Sequence, residues 1–417
     1  MTHSRTPERP VVLSFFSGGM GLDLGLERVG LGAFACLEID RWCCETIRQN
    51  RPNIEVLEQD ISRFDWPGYR ASRGIDDVFL LVGGPPCQSF STGGNRAGLS
   101  DPRGNLLYEF LSKINVIRPK YFVLENVASI TTSALRHRPI KDRPGQHWSL
   151  KRYDTANVGI DGNAPLSEDE MGGSAIRQIL CDVEKLGYSF TFGIVDSADY
   201  GAPQKRFRFV LIGSRDGPAP ALPTPTNGPY AELPYATVRD AIADLEDEPG
   251  AHSSYTGDVA RFFDLVPEGG NWRSLPKELQ PVALGNSFAA GGGKTGFFRR
   301  LAWDAPSPTI TGKANRKGTS MCHPSRTRPL SVRECARLQG FPDDWVFSGA
   351  MNKQYLQIGN AVPVALGAAI GRAILEQRKP ITYDREIMLE AAVKRLRAAA
   401  ANKKSTPQPR NFFDMVA

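Results

Sequence analysis

The first half of the chain alternates short apolar segments with segments of helical length, and this alternation constrains the fold more than any other feature. A strand-like segment followed by a helix-like segment, repeated several times, is typical of a doubly wound, mostly parallel sheet in the α/β class. Two further apolar segments at 188–196 and 206–214 follow one another without a helix, which predicts an antiparallel hairpin at one edge. The five earlier strands are predicted at 11–16 (VVLSFF), 34–40 (FACLEID), 53–62 (NIEVLEQDIS), 77–84 (DVFLLVGG) and 121–127 (YFVLENV).

The alternation stops after residue 216, and this change in pattern predicts the domain organisation. Residues 217–320 are rich in proline, glycine and polar side chains, so we expect a second, smaller and irregular domain there. Helical patterns return in SVRECARLQGF and AVPVALGAAIGRAILEQ, and the small residues of the second pattern suggest tight packing of a helix on the sheet. The prediction is therefore a first domain at 1–216, an irregular domain at 217–320, a return segment at 321–377 and a basic tail at 378–417 with a helix near 385–401.

Composition excludes several classes of protein. Seven dispersed cysteines without a CxxC pair, together with five dispersed histidines, argue against a disulfide framework and a zinc site. No apolar run approaches the ~18 residues of a membrane span, and the N-terminus lacks the apolar core of a signal peptide, so we expect a cytoplasmic protein. The net charge of +6 permits a nucleic-acid partner without requiring one.

Glycines and acids at the ends of the first three strands point to a nucleoside-binding site. The turn after the first strand can approach a ligand closely, because glycine permits unusual backbone angles. Glu38 ends the second strand, where a carboxylate can accept both ribose hydroxyls, and Asp60 follows the third strand, where it can accept the amino group of an adenine. No lysine follows the glycines, which disfavours a triphosphate and favours S-adenosylmethionine. Helix capping or simple surface charge is the alternative role for both acids.

The stretch GGPPCQSFS, residues 83–91, places a cysteine after two prolines at the end of the fourth strand. Prolines stiffen the backbone and glycines allow it to turn, which suits a side chain that must be aimed, such as Cys87. Glu125 ends the fifth strand, so an acid should lie nearby. Arg206 and Arg208 are two residues apart, a spacing that places both on one face of a strand. Two guanidinium groups on a buried face need an anion or another acceptor.

In combination these motifs resemble those of the DNA cytosine-5 methyltransferases of the stand-alone bacterial type. The resemblance covers about 11–216 and 300–377, and its motifs appear in the family's order: the FSGG turn, GGPPCQSFS, ENV, QKRFR, RECARLQGFP and QIGNAVP. It implies an enzyme without a metal that transfers a methyl group from S-adenosylmethionine to carbon 5 of a cytosine rotated out of duplex DNA. It further implies a cofactor pocket formed by Phe16, Ser17, Gly18, Gly19, Gly21, Glu38, Asp60, Pro85 and Asn360; the alternative for Asn360 is a helix N-cap.

The same resemblance implies roles for the catalytic residues. Cys87 would add to carbon 6 of the base, Glu125 would bond ring nitrogen 3 and the exocyclic amine, and Arg206 and Arg208 would hold the carbonyl oxygen and position the other two groups. The glycine-rich loop after Cys87 would close over the DNA. Residues 217–320 would then recognise the target sequence, with phosphate contacts from Lys313, Arg316, Lys317, Arg326 and Arg328.

One departure from the family pattern concerns Ser14, where members usually carry an acid, and it weakens the predicted hold on the methionine end of the cofactor. The polar insert at 134–172 also exceeds the family minimum and could extend the DNA surface. Three alternatives stay open: a methyltransferase acting on transfer RNA, a DNA-binding relative without chemistry, and a cysteine hydrolase. The size of the middle domain favours duplex DNA, and a monomer paired functionally with a restriction endonuclease is the expected setting.

Overall fold

The computed structural model describes residues 10–86, 105–136, 138, 166–288, 296–313, 318–319 and 321–402. Cys87 and the loop that follows it therefore lie outside the described residues, as do most of the polar insert and the last residues of the basic tail.

The strands are β1 (Val12–Phe15), β2 (Ala35–Glu38), β3 (Glu55–Glu58), β4 (Leu80–Gly83), β5 (Tyr121–Val127), β6 (Ser189–Asp196), β7 (Gln204–Lys205), β8 (Phe207–Ser214), β9 (Arg299–Arg300), β10 (Ser307–Pro308) and β11 (Met321–Cys322). A seven-stranded sheet forms the centre of the protein, with the strand order β3-β2-β1-β4-β5-β8-β6. The first five strands are parallel, and β8 runs antiparallel to both of its neighbours, β5 and β6. This confirms the predicted doubly wound sheet and the antiparallel hairpin at its edge.

Burial explains why the central strands are apolar without alternation. Every residue of β1, β2 and β4 is buried, as expected of parallel strands covered by helices on both faces, whereas β3 at the edge is half-exposed. The covering and flanking helices are α1 (Gly21–Glu27), α2 (Arg41–Asn50), α3 (Trp66–Arg73), α4 (Asn105–Ile117), α5 (Ser174–Lys185), α6 (Val238–Ile242), α7 (Gly257–Asp264), α8 (Leu279–Leu284), α9 (Val332–Leu338), α10 (Met351–Asn360), α11 (Val364–Glu376) and α12 (Arg385–Asn402).

Small residues bring α1 and α11 into close contact. A methyl group at Gly25 would lie 2.2 Å from the carbonyl oxygen of Val364, and one at Gly367 would lie 2.4 Å from that of Leu22. The expectation that these small residues pack on the sheet is therefore wrong in part: they pack helix on helix, while larger residues of α11 such as Ile370 contact the sheet core. By length and composition alone Met351–Glu376 could cross a membrane, but 72% of its apolar window is buried inside the protein.

The irregular middle of the chain contains a small core of its own. Phe262, Phe263, Trp272 and Phe298 pack together with Cys322, and the short strands β9 and β11 pair beside them. Residues near both ends of the predicted middle domain also contact the flanking parts of the chain, because α6 packs on α9 and β10 pairs with β7. The pairing of Ser307 with Gln204 brings a distant segment to the end of the central sheet.

Two arginines predicted to contact phosphates are engaged within the protein. The guanidinium of Arg328 bonds both oxygens of Glu334, which is fully buried, at 2.7 and 2.8 Å. Arg326 pairs with Glu246 and Asp247 on the surface. The charge of Arg328 therefore neutralises a buried carboxylate, and its contact with a DNA phosphate stays a prediction. Arg316 and Lys317 lie outside the described residues.

Candidate active site

A cavity of about 630 Å³ opens at the carboxyl ends of the parallel strands, where ligands bind in open α/β sheets. It begins beside Asp60, after β3, and reaches Glu125 on β5. Nearly all of the predicted site residues that the structure describes line this one cavity. They are Phe16, Ser17, Gly18, Gly21, Glu38, Asp60, Pro85, Glu125, Arg206, Arg208 and Asn360.

The turn between β1 and α1 has an unusual backbone that exposes it to the cavity. Phe16 has φ of 57° and Gly18 has φ of 53°, and such positive angles are uncommon for a bulky side chain such as that of Phe16. The Phe16 amide donates to the carbonyl of Leu37 at 2.9 Å, which ties the turn to β2. A ligand in the cavity would therefore meet the Phe16 ring and the exposed backbone of the turn.

The glycines of this turn differ in what an added methyl group would contact. A methyl group at Gly21 would lie 2.1 Å from the carbonyl oxygen of Val362, so Gly21 permits the contact between α1 and the segment before α11. Gly19 does not line the cavity; a methyl group there would lie 3.4 Å from the Phe347 ring, in ordinary packing distance. The structure therefore places Gly19 away from the predicted cofactor pocket.

Glu38 organises the cofactor side of the cavity. Its Oε2 accepts from the Gly18 amide at 2.8 Å, and its Oε1 accepts from the amides of Ile39 and Asp40 at 2.8 and 2.9 Å. Burial raises the pKa of the Glu38 carboxyl, because loss of solvation outweighs these three donors. The carboxylate thus links the glycine turn to the end of β2 and leaves Oε2 with room for a further donor.

Asp60 and Asn360 mark two other parts of the cavity wall. Asp60 Oδ1 accepts from the amide and hydroxyl of Ser62, both at 2.8 Å, and the amide above all lowers the pKa of the Asp60 carboxyl. The predicted capping role is therefore real for Asp60 and does not exclude ligand binding through Oδ2. Asn360 is the last residue of α10, so the alternative that it caps the start of a helix is wrong.

Glu125 and Arg208 form a buried ion pair at the other end of the cavity. Arg208 Nε lies 2.7 Å from Glu125 Oε1, and the side chains are 12% and 10% exposed. Burial raises the pKa of the Glu125 carboxyl, opposed by the charges of Arg208 and then Arg206. A methyl group at Gly84 would lie 3.0 Å from Glu125 Oε2, so the glycine lets the backbone pass close to the acid. This carboxyl can therefore be held in one place and still exchange a proton.

Arg206 lies between β7 and β8, not within a strand, although it still faces the same cavity as Arg208. It is 2% exposed, and its terminal nitrogens donate to the carbonyls of Ile310 and Gly359 at 2.9 and 2.8 Å. This guanidinium therefore joins three distant segments of the chain that line the cavity. The sequence indicated that Arg206 was buried and needed acceptors, but not that the acceptors were backbone carbonyls.

Asn126 is a site residue whose role was not foreseen. Its Nδ2 donates to the carbonyl of Pro85 at 3.2 Å, and its Oδ1 accepts from the amide of Val127 at 2.8 Å. Pro85 and Pro86 immediately precede Cys87, so Asn126 fixes the backbone from which the cysteine segment starts. Its place in the ENV motif was the available signal. The segment at 309–312, which also lines the cavity, carried no comparable signal.

The chain is similar in sequence to known DNA methylases. The model of the family described as C-5 cytosine-specific DNA methylase matches residues 11–139 and 166–376, and thus omits part of the predicted insert. The Type II methyltransferase M.Eco47II from Escherichia coli is 37% identical over 372 residues, which cover 87% of this chain and 78% of the relative. The Type II methyltransferase M.PspPI from Psychrobacter sp. (strain TA137) is 38% identical over 370 residues, with the same two coverages.

Solved structures agree at the level of the fold. A DNMT2 mutant from Spodoptera frugiperda superposes with a TM-score of 0.54 at 14% identity, covering 88% of this chain and 99% of that one. The Dnmt2 methyltransferase of S. pombe gives a TM-score of 0.50 at 18% identity, with the same coverages. The match of the family model over most of the sequence, together with the two Type II relatives, shows that the chain belongs to the C-5 cytosine-specific DNA methylase family.

Proposed function

We propose that this protein methylates carbon 5 of a cytosine within a specific short sequence of duplex DNA, with S-adenosylmethionine as methyl donor and Cys87 as nucleophile. We further propose that it works in the cytoplasm as a monomer and protects DNA from a partner restriction endonuclease. Membership of the family and the Type II relatives support the reaction and the setting. The domain assignment proposed is catalysis by 1–216 and 321–377, with recognition by 217–320.

The observation that carries the proposal is the buried pair of Glu125 and Arg208 beside the segment that leads to Cys87. Asn126 follows Glu125 directly and holds the Pro85 carbonyl, so the acid and the cysteine segment share one support. A carboxyl fixed beside the segment that leads to the proposed nucleophile, at the carboxyl edge of the sheet, suits attack on a heteroaromatic ring whose nitrogen must be bonded at the same moment.

Cys87 would form the covalent bond to the base. A thiolate adds to carbon 6 of cytosine, which places electron density on carbon 5 and makes it nucleophilic. After methylation a base removes the proton from carbon 5, and the thiolate leaves as the ring regains its double bond. A free thiol has a pKa near ~8.5, so about 3% is ionised at pH 7 and the site must favour the anion.

Glu125 would bond the edge of the cytosine. Burial raises the pKa of this carboxyl and so favours its protonated form, which can donate to ring nitrogen 3 while the other oxygen accepts from the exocyclic amine. A proton shared with nitrogen 3 offsets the charge that develops as the thiolate adds. Arg208 holds this carboxyl in place, and Arg206 acts as a positioning residue through its bonds to Ile310 and Gly359.

The polar groups on the cofactor side of the cavity suit the binding of S-adenosylmethionine. Glu38 would accept the ribose hydroxyls through Oε2, Asp60 would accept the adenine amino group, and the Phe16 ring would contact the adenosine. Gly18, Gly21, Ser17, Pro85 and Asn360 complete the wall in this proposal, which does not include Gly19. When bound, the cofactor supplies an electrophilic methyl group.

Bisulfite sequencing of plasmid DNA from cells that express the protein tests this proposal, with Cys87→Ser as the matched control. We expect protected cytosines at one recurring short sequence, and no protection with the variant. DNA containing 5-fluorocytosine at that site should retain a covalent complex on a denaturing gel, because no proton can leave carbon 5. Absence of protection by soluble protein would overturn the duplex-DNA assignment, and methylation of transfer RNA instead would establish the alternative.

A further inference from the structure

Asp23 is a buried carboxylate in the cavity wall that the proposed reaction has not used. It is the third residue of α1, is 2% exposed and lines the cavity. The Ser14 hydroxyl on β1 donates to this carboxylate, while Oδ1 has no hydrogen-bond partner among the residues that the structure describes. A buried carboxylate oxygen without a hydrogen-bond donor lowers the free energy of unfolding. We therefore expect a ligand group that can donate to this oxygen.

The groups around Asp23 do not supply a cation in the described part of the chain. Glu27, one turn along α1, adds negative charge and is itself paired with Arg51 at 2.9 Å. Cys36 faces Asp23 from β2, and its thiol is buried, so it brings no positive charge either. On the β1 side the Ser17 hydroxyl donates to Ser14 Oγ at 2.9 Å, which leaves the Ser14 hydrogen for Asp23. The missing partner is therefore a positively charged donor from a ligand.

The strand order identifies which part of a ligand would face Asp23. Asp60 follows β3 and Glu38 ends β2, so the adenosine end of the cofactor belongs at that side of the cavity. Glu125 lies on β5, so the base belongs at the other side. Strands β1 and β4 lie between these ends, each ~4.8 Å from its neighbours. The part of the cofactor that crosses β1, beside Asp23, is its amino-acid portion.

We infer that Asp23 binds the α-ammonium group of the methionine portion of S-adenosylmethionine, with Ser14 orienting the carboxylate. This inference rests on the proposed use of that cofactor. It also accounts for Ser14, because the acid that β1 lacks at this position is supplied from α1, and the two side chains touch.

Titration calorimetry with two ligands tests the inference on the full chain without turnover. S-adenosylhomocysteine carries the ammonium group, whereas 5′-methylthioadenosine keeps the adenosine and sulfur but lacks the amino-acid portion. Asp23→Asn should lower affinity for S-adenosylhomocysteine by about 10- to 100-fold, the range for a hydrogen bond between charged groups, and change affinity for 5′-methylthioadenosine by less than about twofold. Glu27→Gln, which removes a carboxylate from the same helix, should change neither affinity.

Equal losses for both ligands, or no loss for S-adenosylhomocysteine, would overturn the inference. If Asp23→Asn does not fold, the exchange Ser14→Asp with Asp23→Ser returns a carboxylate to the same pair. If this double variant still binds S-adenosylhomocysteine more tightly than 5′-methylthioadenosine, the inference is supported. If the double variant loses that selectivity, the inference is overturned. If the wild-type protein binds neither ligand, both the proposed cofactor and this inference are wrong. If it binds both ligands but does not methylate DNA, only the proposed reaction is wrong.

Discussion

Arg208 Nε lies 2.7 Å from Glu125 Oε1 across two antiparallel strands, in a site where neither side chain is more than 12% exposed. The strand register places Arg208 opposite Val127 and Glu125 opposite Val210, so the two charged residues meet diagonally. A buried pair of this kind holds each partner in one orientation, and removal of one partner leaves the other charge unpaired. The stability of the sheet and the protonation of Glu125 are therefore coupled.

Arg208→Met should destabilise the protein by roughly 3 kcal/mol at pH 8, because Glu125 is left as a buried carboxylate without its cation. The folded pKa of Glu125 is raised, so the cost is largest above that pKa and disappears as the carboxyl is protonated at lower pH. Urea unfolding at pH 8 and pH 5 measures the difference. The double variant Arg208→Met with Glu125→Gln should be more stable at pH 8 than Arg208→Met alone; an equal or lower stability would contradict this account.

Glu125→Gln should lower the rate of methyl transfer by at least about 100-fold, because an amide can bond the base but cannot deliver a proton to it. Affinity for DNA and for S-adenosylhomocysteine should stay within about threefold of wild type, since the variant has nearly the same shape. Single-turnover transfer of labelled methyl groups measures the rate, and calorimetry measures both affinities. A variant with normal turnover would show that Glu125 only positions its neighbours.

Gly21→Ala should lower the melting temperature sharply, because the added methyl group would lie 2.1 Å from the carbonyl oxygen of Val362 and would push α1 away from the segment before α11. Gly19→Ala is the matched control, since its methyl group would meet the Phe347 ring at 3.4 Å and can be accommodated. Thermal unfolding of the two ligand-free variants compares them. Equal melting temperatures would mean that α1 and α11 can separate at little cost.

Those features of the site that follow from strand order could be predicted from the sequence. Glu38 and Glu125 end apolar segments, so alternation alone placed both at the ligand-binding edge of the sheet. Asp23 could not be recognised in this way, because an acid on a mostly apolar helix does not reveal that it touches Ser14 across the turn. The pairing of Ser307 with Gln204 was equally hidden, since two residues of strand, about one hundred positions apart, leave no periodic signal. The ion pair of Arg328 was also hidden, because its partner, Glu334, is a buried helix residue that the charge pattern cannot distinguish from a surface one.

Asp23→Asn should stabilise the ligand-free protein even as it weakens cofactor binding. Burial raises the pKa of the Asp23 carboxyl from 3.8 to about 6, so the folded state binds the proton more tightly than the unfolded state. The ionised Asp23 therefore lowers the free energy of unfolding. This loss is absent below pH 3.8, grows as pH rises and is complete above the folded pKa. It amounts to about 3 kcal/mol at pH 7.5 and about half of that at pH 5. Urea unfolding of both proteins at these two pH values should show the variant's advantage shrinking at pH 5; an advantage that does not depend on pH would contradict the assignment.

Asn126→Ala should lower the turnover number while leaving the affinities for DNA and cofactor within about twofold of wild type. The side chain holds the Pro85 carbonyl at 3.2 Å, and Pro85 starts the segment that carries Cys87, so its loss should misplace the nucleophile more than it disturbs the cavity wall. We expect a loss of about tenfold or more in turnover, because small displacements of a reacting group are costly to rate.

The rate of covalent complex formation with DNA containing 5-fluorocytosine measures this effect, because the trapped adduct requires attack by Cys87 and methyl transfer but not the later release of the thiol. The fall in that rate should match the fall in turnover. Asn126→Asp provides the comparison: it keeps the acceptor for the Val127 amide at 2.8 Å but replaces the donor to Pro85 with a second oxygen. If Asn126→Asp formed the complex at the wild-type rate, the bond to Pro85 would have no part in aiming the cysteine, and the Val127 contact alone would explain any loss in Asn126→Ala.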